Sequence, residues 1–151
     1  MRIMGIDLGT KRIGVAVSDE LFLTAQGLES IQHRDFNTDL VSINSVVAEY
    51  GVGEIVVGLP LNMNGTDSEK TREARTFADD LEKAVKMPVK LWDERLTSVA
   101  AERALLEADM SRGRRRQLSD KLAAQFILQG YLDSRKRQAS YGKDQTGGED
   151  N

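Results

Sequence analysis

With 151 residues, of which 40% are hydrophobic and 30% charged, the chain has the balance of one globular domain, and a domain of this size buries about 68–70% of its unfolded surface. It has no cysteine, which excludes a disulfide framework and a cysteine zinc site. It also has no apolar run of about 18 residues to cross a membrane, and Met1 to Gly5 lacks the layout of a signal peptide, so the cytoplasm is the expected location. The net charge of −3 gives no overall attraction for a polyanion, but Arg112, Arg114, Arg115 and Arg116 concentrate positive charge locally.

In chain order, residues 2–8 read as a strand, Gly9-Thr10-Lys11-Arg12 as a turn and Ile13 to Ser18 as a second strand. A third strand is expected within Phe22–Gln32. The period then changes: Phe36, Leu40, Ile43, Val47 and Tyr50 form one helical stripe, stopped by Gly51. Glu54–Gly58 reads as a short buried strand, and Leu59 to Thr66 as a polar loop. Ala74, Phe77, Ala78, Leu81 and Val85 mark a second helix, and Pro88–Trp92 another strand. Thr97 or Ser98 can cap a third helix through Ala101, Ala104, Leu105 and Ala108. Met110 to Leu118 reads as a basic linker, and Ser119 as the cap of a last helix through Leu122, Phe126 and Gln129. The remainder is polar, so the expected division is a domain over residues 1–135 and a disordered tail over 136–151.

This order, β-β-β-α-β-α-β-α-α, predicts an α/β fold. Three leading antiparallel strands continue into parallel strands reached by right-handed crossovers, giving a mixed five-stranded sheet with helices on both faces.

Three acids carry the chemistry. Asp7 lies in the apolar strand Ile3-Met4-Gly5-Ile6-Asp7-Leu8, where a carboxylate is costly unless paired or metal-bound. A turn-capping Asp is the plain alternative. Glu94 follows the strand ending at Trp92, and parallel strands deliver their C-terminal ends to the edge where open α/β sheets place sites. A surface pair with Arg95 is its plain alternative, and Asp93 should face the opposite way. Asp120 opens the last helix, where the helix dipole favours an acid anyway, but it shares a face with Ala123, Ala124 and Ile127. Three converging carboxylates repel, and divalent cations relieve this. Hard oxygen ligands select magnesium or manganese, one or two ions, which can cleave a phosphodiester. Thr10, Lys11 and Arg12 with the turn amides could hold a phosphate, and Arg112, Arg114, Arg115 and Arg116 could track a nucleic-acid backbone. His33 has no histidine partner, and Trp92 and the methionines read as core rather than as a stacking platform.

The segment Asp7-Leu8-Gly9-Thr10-Lys11-Arg12-Ile13-Gly14-Val15-Ala16 resembles the opening motif of the YqgF-like family, pre-16S rRNA nucleases related to Holliday-junction resolvases. Val57-Gly58-Leu59-Pro60-Leu61-Asn62-Met63-Asn64-Gly65, Asp93-Glu94-Arg95-Leu96-Thr97-Ser98 and Asp120-Lys121-Leu122-Ala123-Ala124 resemble three further motifs, so the likeness runs from about residue 2 to about residue 133. It implies a ribonuclease H-like fold, Asp7, Glu94 and Asp120 as the acidic triad, and precursor ribosomal RNA as substrate. A fourth carboxylate, carried by many ribonuclease H relatives, has no clear match, which bears on a second metal. Three rivals are a branched-DNA resolvase, expected to be a dimer; a non-catalytic nucleic-acid or transcription-associated module, against which the acids speak; and a phosphate-gripping ATPase, which would need two such domains. The oligomeric state is left open between a monomer and a weak homodimer.

Overall fold

The computed structural model describes residues 1–96 and the backbone of 112–149, with side chains of the last helix described from Asp120 to Gln138. Its elements are β1 (Arg2–Leu8), β2 (Arg12–Ser18), β3 (Ala25–Gly27), β4 (Ile31–Gln32), α1 (Phe36–Tyr50), β5 (Val52–Leu59), α2 (Glu69–Val85), β6 (Val89–Asp93), a 3-10 turn (Glu94–Leu96) and α3 (Arg112–Glu149). Strands run in the order β3-β2-β1-β5-β6, with β4 also on β2. The pairs β1–β2 and β2–β3 are antiparallel, while β1–β5 and β5–β6 are parallel. The mixed sheet with antiparallel leading strands and parallel later ones is therefore the expected one.

Alternation along the strands divides the core into two layers. On one face Met4, Ile6, Ile13, Val15, Val17, Ile55 and Val57 pack against Ile43 of α1 and Phe77, Ala78 and Leu81 of α2. On the other, Ile3, Ala16 and Val56 meet Ala124, Leu128 and Leu132 of α3. The helix ends follow from local chemistry. Asp35 caps α1 by accepting the Thr38 N–H, and Gly51 closes it in the left-handed region at φ 65°. Ser68 and Thr71 form a reciprocal capping box on α2.

The structure departs from the sequence reading in three places. The third strand is two short pieces, β3 and β4, both paired to β2, because the chain leaves the ladder between Leu28 and Ser30. The basic segment is not a linker: residues 112–118 are already helical, so Ser119 lies within α3 instead of capping it. Arg, Gln and Leu are good helix formers and no proline interrupts them. The backbone of α3 also continues to Glu149, past the point where composition placed a tail. Arg135 anchors this extension by pairing with Glu54 at 3.0 Å and lying over the Phe22 and Tyr131 rings. The helix expected from Thr97 or Ser98 through Ala108 falls outside the described residues.

Candidate active site at the C-terminal edge of the sheet

The α3 face of the sheet carries a row of four residues. Asp7 of β1 is paired in register with Gly14 of β2. One step beyond the Ile6–Val57 pair stands Gly58 of β5, which is in register with Trp92 of β6. Asp7 is thus flanked on both sides by glycines, and the missing side chains leave room above it. A Cβ on Gly14 would lie 2.6 Å from the Asp120 carbonyl oxygen, 3.3 Å from the Asp7 Cβ and 3.4 Å from the Ala124 Cβ. A Cβ on Gly58 would lie 2.7 Å from Glu94 Oε1 and 2.6 Å from Ile127 Cδ1. Glu94 therefore folds its carboxylate over Gly58, and α3 brings Asp120 down over Gly14. The three acids flank one another across neighbouring strands, which lie about 4.8 Å apart.

Their side chains do not share one point. The Asp120 carboxylate accepts a charge-assisted bond from Arg12 Nε at 2.5 Å. Among the described residues no group of three acids or histidines stands close enough to hold one ion. The donor set is nonetheless all hard oxygen, suited to magnesium or manganese and unsuited to zinc. Arg12 is half-buried beside Asp120, whereas Thr10 and Lys11 stand exposed at the hairpin tip, closed by the Gly9 N–H donating to the Arg12 carbonyl at 3.0 Å. The backbone of Arg112, Arg114, Arg115 and Arg116 lies in the first turns of α3, N-terminal to Asp120.

Asp93 closes β6 in register with Leu59, on the face opposite Trp92. Arg95 pairs with Asp93 at 2.8 Å and donates from Nη1 to the Met63 carbonyl at 3.1 Å, tying the 3-10 turn to the loop after β5. The Arg95 bonds hold the Asp93 carboxyl below its ordinary range and raise the guanidinium in turn. His33 has a structural role: its Nδ1 lies 2.5 Å from Oδ2 of Asp39, a fully buried acid that also accepts the Arg34 N–H. Trp92 packs against Ala123 and Ile127 and edge-on against Tyr131. Met63, by contrast, is exposed. The flanking glycines and the Arg12–Asp120 pair escaped the sequence reading. A glycine inside a buried strand was the available signal for the former. The latter joins residues 108 positions apart and leaves no local trace.

A mixed sheet with this strand order, bearing acids at its C-terminal edge under a covering helix, defines the ribonuclease H-like class. RuvC of T. thermophilus, solved in complex with a Holliday junction substrate, superposes with a TM-score of 0.56 at 16% identity over 90% of this chain and 96% of that one. The fowlpox virus Holliday junction resolvase superposes with a TM-score of 0.52 at 14% identity over 89% and 99%. These likenesses concern the fold. The chain belongs to the RuvX family, described as "Holliday junction resolvase", which matches residues 1–134. A relative from Moorella thermoacetica is 57% identical over 88% of this chain and 95% of its own, and one from Myxococcus xanthus is 53% identical over 90% of each. Both are named "Putative pre-16S rRNA nuclease". No helix among the described residues is long and apolar enough to cross a membrane.

Proposed function

We propose that the chain is a divalent-metal-dependent endonuclease acting on the precursor of 16S ribosomal RNA, with Asp7, Glu94 and Asp120 as its catalytic carboxylates. One observation carries this reading: Glu94 over Gly58 and Asp120 over Gly14 bracket Asp7 on a single face of the sheet. A turn-capping role for Asp7 does not account for two further acids brought to it from distant elements. The names of the Moorella and Myxococcus relatives support the RNA substrate.

Asp7, Glu94 and Asp120 would hold the magnesium or manganese, which when bound activates water and stabilises the leaving oxygen. Asp7 is fixed by the β1 ladder and Glu94 by its place directly after β6, so both present oxygen donors on rigid elements. Arg12 pairs with the Asp120 carboxylate, which would have to be shared with a bound ion. Thr10, Lys11 and the turn amides take a substrate phosphate, and the arginines of residues 112–116 take the flanking backbone.

The test is incubation of the purified protein with labelled precursor ribosomal RNA and with four-way DNA junctions, in magnesium, manganese or chelator. Cleavage of the RNA in metal alone is expected. Full cleavage in excess chelator refutes the metal site. Symmetric cutting of the junction with the RNA left intact replaces the substrate with branched DNA.

A further inference from the structure

Along β6, on the α3 face but away from the acids, lies a cavity to which neither the catalytic reading nor the family likeness gives a role. It has a volume of 510 Å³, within the range of about 300–1,000 Å³ typical of ligand sites. Its floor is β6, where Lys90 and Trp92 lie on the α3 face in line with Glu94. Its other wall is the stripe Tyr131, Ser134, Arg135 and Gln138 of α3, spaced three, four and seven residues apart. At about 3.3 Å per strand residue, Lys90 stands roughly 13 Å from Glu94, and Trp92 fills the interval.

Three features give the cavity its chemistry. Trp92 and Tyr131 supply apolar ring surface at 6.1 Å between centroids. Among the described residues the buried indole Nε1–H of Trp92 has no acceptor, a donor that costs free energy until something accepts from it. Charge is the third. Glu54, the one acid among the described residues of the wall, is already engaged by Arg135 at 3.0 Å and by the Tyr131 hydroxyl at 3.1 Å. Among the described residues its charge is balanced, and Lys90 remains as an exposed excess cation. Aromatic surface, an unmet donor and a net positive charge suit a nucleotide, with its base against the rings and its phosphate on the cation.

We propose that this cavity is a nucleotide subsite that holds the substrate strand one or more nucleotides away from the scissile phosphate. The proposal rests on the nuclease reading for the identity of the strand, but binding can be tested without cleavage. Trp92 is the single tryptophan of the chain, so intrinsic fluorescence reports on the cavity directly. The probes are uridine mono-, tetra- and octanucleotides, titrated in chelator at several salt concentrations. The longer oligomers should change Trp92 emission and the mononucleotide should do so only weakly. Lys90→Glu should weaken octanucleotide binding about tenfold and reduce the salt slope by about 0.7 for the lost phosphate contact, while Lys90→Arg binds as the wild type. With magnesium and precursor RNA, Lys90→Glu should raise KM and leave kcat within about twofold. No emission change with the octanucleotide, or an unaltered affinity and salt slope in Lys90→Glu, overturns the subsite. A protein that binds through the cavity but cuts neither RNA nor DNA overturns the nuclease reading and leaves the subsite standing.

Discussion

Gly14→Ala tests how the site is built. The new methyl carbon would stand 2.6 Å from the Asp120 carbonyl oxygen, and ordinary contact begins near 3.4 Å. Neither side can absorb the difference by turning a side chain, because one partner is helix backbone and the other a central strand. Helix α3 must therefore lift by about 0.8 Å at Asp120. Overpacking of this kind costs roughly 1–3 kcal/mol, and the stiffer unfolded chain returns roughly 0.4–1 kcal/mol of that. The net loss is about 0.5–2 kcal/mol, which at roughly 2–4 °C per kcal/mol lowers Tm by a few degrees. Activity should suffer far more, since a misplacement of about 1 Å can cost on the order of 100-fold. Gly51→Ala is the matched control. Nothing lies within 4 Å of its new Cβ, and its φ of 65° imposes strain alone, about 1–2 kcal/mol. It should melt lower by a similar amount yet cut normally below its Tm. Gly58→Ala completes the set: the nearest atoms to its Cβ are side-chain ends of Ile127 and Glu94 rather than backbone, so stability should fall less than in Gly14→Ala while Glu94 is displaced and cleavage falls. Melts and initial rates on one RNA substrate decide the matter. A Gly14→Ala protein that cuts like wild type, or a Gly51→Ala protein as impaired as Gly14→Ala, refutes the geometry.

Asp7→Asn should abolish cleavage, keep the fold by circular dichroism, and lose most of the thermal stabilisation that magnesium gives the wild type; an unchanged magnesium shift would remove Asp7 from the ligand set. Replacing Arg114, Arg115 and Arg116 together by Ala should reduce the salt dependence of RNA binding by up to about 0.7–0.9 log units per lost contact, and an unchanged slope would limit these residues to a helical role. Asp93→Asn should destabilise the protein at neutral pH by releasing Arg95 from the 3-10 turn. The folded pKa of Asp93 is lowered from its ordinary 3.8, so its contribution is present above that value and lost as the pH falls through the lowered one. The gap in Tm between wild type and variant should therefore narrow below about pH 4, and a constant gap would show that charge is not the cause. Deleting residues 140–151 should leave Tm and rate nearly unchanged, since Arg135 is the last anchor described; a large fall in Tm would place a docking contact within that segment.

Elements with a strict period could be read from the sequence. The stripe from Phe36 to Tyr50 gave α1, and the alternation of β1 and β2 gave the hairpin. Asp7 stood out because a carboxylate inside an apolar strand demands a reason. Glu94 and Asp120 were legible as residues, but their approach to Asp7 depends on how closely α3 descends, which is set by the glycines beneath it. The break between β3 and β4 was hidden because a three-residue and a two-residue strand are too short to show a period. The start of α3 was misread because an arginine cluster looks equally polar in a loop and on a helix.

The position of α3 in the chain has a consequence for biosynthesis. By Asp93 every strand among the described residues has been made, and so have the described residues of the layer formed with α1 and α2. The opposite layer waits for Ala124, Leu128 and Leu132, and Arg12 waits 108 positions for Asp120. A chain still emerging from the ribosome can thus fold one side of its sheet while the acids at the other side stand unassembled. The arrangement in which Asp120 and Glu94 bracket Asp7 is therefore among the last features the chain acquires.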